Sequence, residues 1–115
     1  MIDMTTVLTD ERGNPIPDPF EADPKDPQKV LPPLTLGSAV AHALFAAFPD
    51  EQNLGWETKF TRGMMAERLR NNSEAELTTE ELPVIKRLVG RLYGVAIVMK
   101  VIPLIDPTAK PGALA

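Results

Sequence analysis

The chain has 115 residues, a formal net charge of −4, 43% hydrophobic side chains and no cysteine. That length leaves room for one domain with one modest core, and the apolar share excludes a chain disordered throughout. The missing thiol excludes disulfides, cysteine nucleophiles and thiolate-bound zinc or iron–sulfur centres, and is compatible with a reducing cytoplasm.

The charge is uneven: residues 1–58 hold ten acidic against three basic side chains, and residues 59–115 hold six against nine. An acidic chain repels a phosphate backbone, which argues against a nucleic-acid partner even though the second half is positive. Met1-Ile2-Asp3-Met4 shows neither the basic start nor the apolar run of a signal peptide. The most apolar stretch, residues 95–105, contains Lys100 and Pro103 and is too short to span a bilayer. A soluble protein with no membrane partner is expected.

Residues 1–34 are a poor place for regular structure. Seven prolines stand between Pro15 and Pro33, each lacking a backbone donor and fixing φ, and residues 18–29 are acidic and mostly polar. Ahead of them, Thr5-Thr6-Val7-Leu8 is β-prone, Asp10-Glu11-Arg12-Gly13-Asn14 reads as a turn, and Pro15-Ile16-Pro17 suits only an edge. Together these predict a short β-hairpin in an otherwise irregular, proline-rich acidic arm.

Thr35 offers an N-cap to a helix whose Leu36, Val40, Ala43, Leu44, Ala47 and Phe48 fall on one face, with Pro49 as its end. A second helix is expected from Trp56 to about Arg70. Its inner face would carry Trp56, Phe60, Met64 and Leu69, with Glu57, Lys59, Arg62, Glu67, Arg68 and Arg70 in water. Gly63 weakens the middle of that helix by about 1 kcal/mol relative to alanine, which predicts close packing there.

Thr78 and Glu81 have the spacing of a capping box, but Pro83 would then lie beyond the first turn, so Thr79 is the expected cap. Leu82, Ile85, Leu88, Val89, Leu92 and Ala96 form the buried face, with Lys86, Arg87 and Arg91 opposite. From Gly94 onward the pattern is apolar almost all round, as in a central helix or the seat of an oligomer contact, and Pro103 ends it. The expected fold class is mainly α. A small bundle of three to four helices over residues 35–105 follows the arm, residues 1–34, and precedes a C-terminal tail, residues 106–115.

Chemistry is sparse. His42 is the only histidine; it has no carboxylate three or four residues away and no serine motif, so it reads as a packing residue. One histidine and no cysteine leave only carboxylates for a metal. Asp23 with Asp26, or Glu74 with Glu76, lack the spaced ligands and turn glycine of a calcium loop. Leu36-Gly37-Ser38 lacks the further glycines and lysine of a phosphate loop. Gly90 and Gly94 have the four-residue spacing that admits a close neighbouring helix. No catalytic residue, metal or cofactor is expected.

What remains is charge. Arg62, Arg68 and Arg70 form one basic edge and Lys86, Arg87 and Arg91 another, while Glu21, Asp23 and Asp26 make the arm acidic. These nine are the candidate partner-binding residues. The arm would clasp the basic faces within one molecule or between copies, in a salt-sensitive way, and its removal would leave a folded helical domain.

The arrangement resembles a family of small phage and prophage proteins. The matching residues run from Asp10-Glu11-Arg12-Gly13-Asn14-Pro15-Ile16 to Leu34-Thr35-Leu36-Gly37 and Ala43-Leu44. They continue through Asp50-Glu51-Gln52-Asn53-Leu54, Lys59 with Arg62, Leu77-Thr78-Thr79-Glu80-Glu81, and Ile85-Lys86-Arg87-Leu88-Val89-Gly90 before Tyr93. The likeness covers most of residues 5–102 and is one of helix punctuation. It departs at Pro83 and in a longer proline-rich insert at residues 18–29. Members are generally without assigned activity, so the resemblance implies a phage context. The resulting expectation is a non-catalytic phage-encoded accessory protein in the host cytoplasm that binds and modulates a host or phage protein complex. The alternative is a virion structural or assembly component whose arm and tail contact neighbouring subunits, with self-association.

Overall fold

Thr35 has an extended backbone, and its Oγ1 accepts the Ser38 N–H at 3.2 Å, starting helix α1 (Leu36–Phe45) as its side chain predicts. The computed structural model describes residues 1–110, and the end of the expected tail, residues 111–115, lies outside the described residues. The fold is mainly helical. Helices α1, α2 (Trp56–Asn71), α3 (Glu81–Leu92) and α4 (Val95–Ile105) are joined by one two-stranded antiparallel sheet, β1 (Ile2–Asp3) with β2 (Glu74–Ala75).

The central helix is α1, not the apolar stretch near the C-terminus. Leu36, Gly37, Ala39, Val40, Ala41, Ala43 and Leu44 are all buried. Small side chains let neighbours come close: a Cβ on Gly37 would lie 3.1 Å from the carbonyl oxygens of both Leu69 and Met4. The start of α1 thus meets the end of α2, while Leu44 near its other end shares a cavity with Arg62 and Gly63, so the two helices run antiparallel.

That close approach explains the main correction to the sequence reading. The inner face of α2 is Arg62, Met65, Ala66 and Leu69. Of the expected inner residues only Leu69 is buried; Trp56, Phe60 and Met64 are 73%, 61% and 55% exposed. Their stripe lies about half a turn from the buried one. With the backbones so close at Gly37, Ala66, the pliable Met65 and aliphatic Leu69 fit where an indole would wedge the pair apart. Gly63 has no close neighbour, so the predicted tight packing is absent, and the same holds for Gly90 and Gly94.

Helix α3 begins with a reciprocal capping box at Thr78, not Thr79. The Thr78 N–H donates to Glu81 Oε1 at 2.9 Å, the Glu81 N–H donates to Thr78 Oγ1 at 3.1 Å, and Leu82 N–H reaches the Thr78 carbonyl. Pro83 forfeits only its own helical bond. Ile85, Leu88 and Val89 pack inward as expected, with Leu92 half-buried. Extended Tyr93 and Gly94 separate α3 from α4. Pro103 lies inside the last turn of α4, and the chain stays helical to Ile105, closed by the Asp106 N–H on the Ile102 carbonyl at 2.8 Å. Only Val101 and Ile105 of α4 are buried.

Residues 1–34 are not set apart from the core. The expected hairpin is present: Asp10 N–H donates to the Asn14 carbonyl around Gly13, whose φ is 82°, and Thr9 bridges Pro15. A third segment then returns beside it. Leu8 N–H donates to the Leu34 carbonyl (2.9 Å), Leu34 N–H to Ile16 (2.7 Å), and Ile16 N–H to Leu8 (3.0 Å), a closed ring of three bonds. Pro15, Pro17 and Pro33 occupy the positions between these donors, so their missing N–H groups are never needed. Met4, Leu8 and Leu34 join Leu36, Val40, Leu69, Ile85, Leu88, Val89 and Val101 in one core cluster. The boundary expected at residues 34/35 runs through that cluster, and within residues 1–34 the hairpin turn at residues 11–15 and the excursion over residues 19–30 are exposed throughout.

Candidate protein-binding surface

The outward face of α2 is built by default. Once Met65, Ala66 and Leu69 turn inward, the four-residue spacing of Trp56, Phe60 and Met64 carries all three into solvent on one stripe. Trp56 and Phe60 meet edge to face, with centroids 6.5 Å apart. Beside them, α2 and the segment leaving α1 enclose a cavity of about 380 Å³, lined by Leu44, Phe45, Phe48, Leu54, Lys59 and Gly63 among others.

Ion pairs fix the loop that forms the cavity wall, which includes a 3₁₀ turn at Pro49–Glu51. Arg62 is buried and forks onto Glu51, with Nη1 to Oε1 at 2.8 Å and Nη2 to Oε2 at 3.0 Å; its Nε is buried with no partner among the described residues. Arg91 of α3 hydrogen-bonds Asp50, reaches Glu51 at 3.7 Å, and lies over the Phe48 ring, 4.2 Å from its centroid. Glu51 is held below the usual carboxylate range chiefly by the Arg62 fork, and Asp50 by its bond from Arg91. Two helices therefore pin one loop.

Of the candidate residues read from charge, Arg62 and Arg91 hold this wall and the others fall elsewhere. Arg68 pairs with Glu81 at 2.8 Å and Lys86 with Asp106 at 2.9 Å, while Arg70 lies over Phe45 at 5.8 Å. Arg87 is exposed. Glu21, Asp23 and Asp26 are exposed too, and the Asp23 and Asp26 carboxylates accept the Lys25 and Gln28 N–H groups of their own turns. Among the described residues none of the three meets a basic face, so the clasp expected within one molecule is not formed. Arg62, Arg68, Lys86 and Arg91 had nearer carboxylates available, and buried Arg62 belongs to the scaffold.

His42 does have a carboxylate neighbour, from outside its helix. Asp18, 3% exposed, places Oδ2 3.9 Å from Nε2, and Phe20 stacks on the imidazole with centroids 4.0 Å apart. Tyr93 stands edge-on to Phe20 and donates its hydroxyl to the Ala39 carbonyl at 2.7 Å; burial, then the Asp18 charge, raises its pKa. The cluster ties the exposed excursion to α1. Sequence reasoning missed it because Asp18 and Phe20 reach His42 only through the three-segment ladder.

Helix α4 also has an outer apolar face, where Val95 is 85% exposed and Met99 and Leu104 are exposed as well. Among the described residues, no group of His, Cys, Asp and Glu could hold a metal ion, and no helix is long and apolar enough to cross a membrane. No family model matches the chain, and neither a curated protein nor a solved structure matches it significantly.

Proposed function

We propose that this chain is a non-catalytic accessory protein that binds another protein through the outer face of α2. The observation carrying this reading is the exposed Trp56–Phe60–Met64 stripe beside a preformed cavity. Tryptophan and aromatic anchors next to a concave apolar site are what dominate protein interfaces, and a soluble surface seldom leaves such a group open. The phage context and the host cytoplasm come from the resemblance alone.

A virion or virion-assembly role is the second reading, favoured by the outer face of α4. Its only charged residue is Lys100, so contacts between like copies would meet little repulsion. The test compares tagged wild-type protein with a Trp56→Ser/Phe60→Ser variant, purified from infected cells and analysed by mass spectrometry. A regulatory or host protein retained only by wild type supports the first reading, and particle proteins support the second. Equal capture by both, with unchanged melting, removes the α2 face from the function.

A further inference from the structure

The cavity flanking α2 carries information on what the partner is made of. At about 380 Å³ it lies near the lower limit of small-ligand sites, large enough for one or two side chains. Leu44, Phe45, Phe48 and Leu54 make its walls apolar. The wall loop is already held by Arg62 and Arg91, so little ordering is left to oppose binding.

Charge at the cavity is one-sided. Its charged lining residues are Glu51, Lys59 and Arg62. The Glu51 carboxylate is taken by Arg62 and approached by Arg91, whereas Lys59 has no ion pair among the described residues. Arg70, eleven residues on along the same flank of α2, lies over the Phe45 ring and is not among the residues lining the cavity. Glu67 lies one turn beyond Gly63 and Glu57 toward the other flank. The open cation at the cavity is therefore Lys59.

Resting on the proposed binding role of α2, we infer that this cavity receives a large apolar side chain from an acidic segment of the partner, with a neighbouring carboxylate on Lys59. A second copy docking α2 on α2 in parallel fits worse, because in register it sets Lys59, Glu67 and Arg70 each against its own counterpart.

The probe is a displayed random-peptide library selected on the full chain. Recovered peptides are then titrated against Trp56 fluorescence, which reports cleanly because it is the only tryptophan. The expected consensus sets a leucine, methionine or aromatic residue beside aspartate or glutamate. Gly63→Leu should fill the cavity and weaken binding about tenfold or more, an effect of hot-spot size. A Cβ at Gly63 meets nothing within 4 Å, so the variant should keep its fold, which circular dichroism checks. Lys59→Glu should weaken the acidic peptides and prefer versions with lysine in place of the acid.

Neutral or basic consensus peptides, or indifference to both substitutions, overturn the inference. Peptides that depend on Trp56 and Phe60 but not on Gly63 or Lys59 overturn the cavity alone and leave the binding role of α2 standing. Absence of any α2-dependent peptide overturns both. A mass that doubles with concentration in light scattering, abolished by Gly63→Leu, would instead make the occupant a second copy.

Discussion

Residues 1–34 and helix α2 exchange the places their compositions suggest. The first is polar and rich in proline, yet it sends Met4, Leu8 and Leu34 into the core; the second holds the only tryptophan, and keeps it in water. Hydropathy does not separate these cases. In the first, backbone hydrogen bonding decides: the Leu8–Ile16–Leu34 ring satisfies the donors that remain between prolines and fixes two leucines inward. In the second, the closeness of the neighbour decides: α1 and α2 approach at Gly37 so nearly that Met65, Ala66 and Leu69 fit between them where an indole would not.

Removing residues 1–33 breaks this comparison most severely. The truncation should lose cooperative thermal unfolding, because Met4 and Leu8 leave the core and the Leu36 and Gly37 N–H groups lose their bonds to Thr6 and Met4. A truncated chain that still melts sharply would restore the picture of a dispensable arm. On a smaller scale, Leu8→Ala or Leu34→Ala should cost about 2–5 kcal/mol. Trp56→Ala and Phe60→Ala should stay within about 0.5 kcal/mol of wild type in urea denaturation. Equal losses in the two pairs would mean the stripe is packed after all.

The helices were legible wherever a local signal sets a boundary. Thr35 caps α1, Trp56 opens α2, and Thr78 with Glu81 has capping-box spacing; buried Leu36, Val40, Leu44, Ile85, Leu88 and Val89 follow from three- and four-residue periodicity. The inward side of α2 was not legible, because its charged residues are spread around much of the helix and size was the remaining cue. Nor was the pairing of β1 with β2, which joins Ile2 to Ala75 across about two thirds of the chain. The candidate surface suffered from the same limit. Charged residues stand out in a sequence, but whether Arg62 is free or paired depends on where Glu51 lies in space.

Glycine substitutions sharpen the contrast at intermediate size. Gly37→Ala should destabilise by about 1–3 kcal/mol, since its Cβ would press on backbone oxygens of both Leu69 and Met4, which cannot swing away. Gly63→Ala should stabilise by about 0.5–1 kcal/mol, because an open helical position gains the better helix former without a clash. Paired thermal melts give both signs, and the same sign at both sites would contradict the packing of α1 on α2.

Acid should produce the smallest and most local difference. Around α2, carboxylates join separate elements: Glu51 is lowered first by the Arg62 fork, Asp50 by Arg91, and Glu81 by Arg68. In the N-terminal segment Asp3 is lowered as well, but by the hydroxyl and N–H of Thr5 within its own turn. A carboxylate whose pKa is depressed by folding contributes stability that is complete above its unfolded value and lost as pH falls toward the folded one. For Glu51 that loss begins near the ordinary glutamate value of about 4.3 and deepens below it. Hydrogen exchange along a descending pH series should therefore show the loop at residues 46–54 opening before the Leu8, Ile16 and Leu34 amides do. Glu51→Gln keeps the shape but removes the titration, so its loop should already be loosened at neutral pH and change less with acid. If the ladder amides opened first, or if Glu51→Gln opened with the same pH dependence as wild type, the Arg62–Glu51 fork would not be what holds the cavity wall.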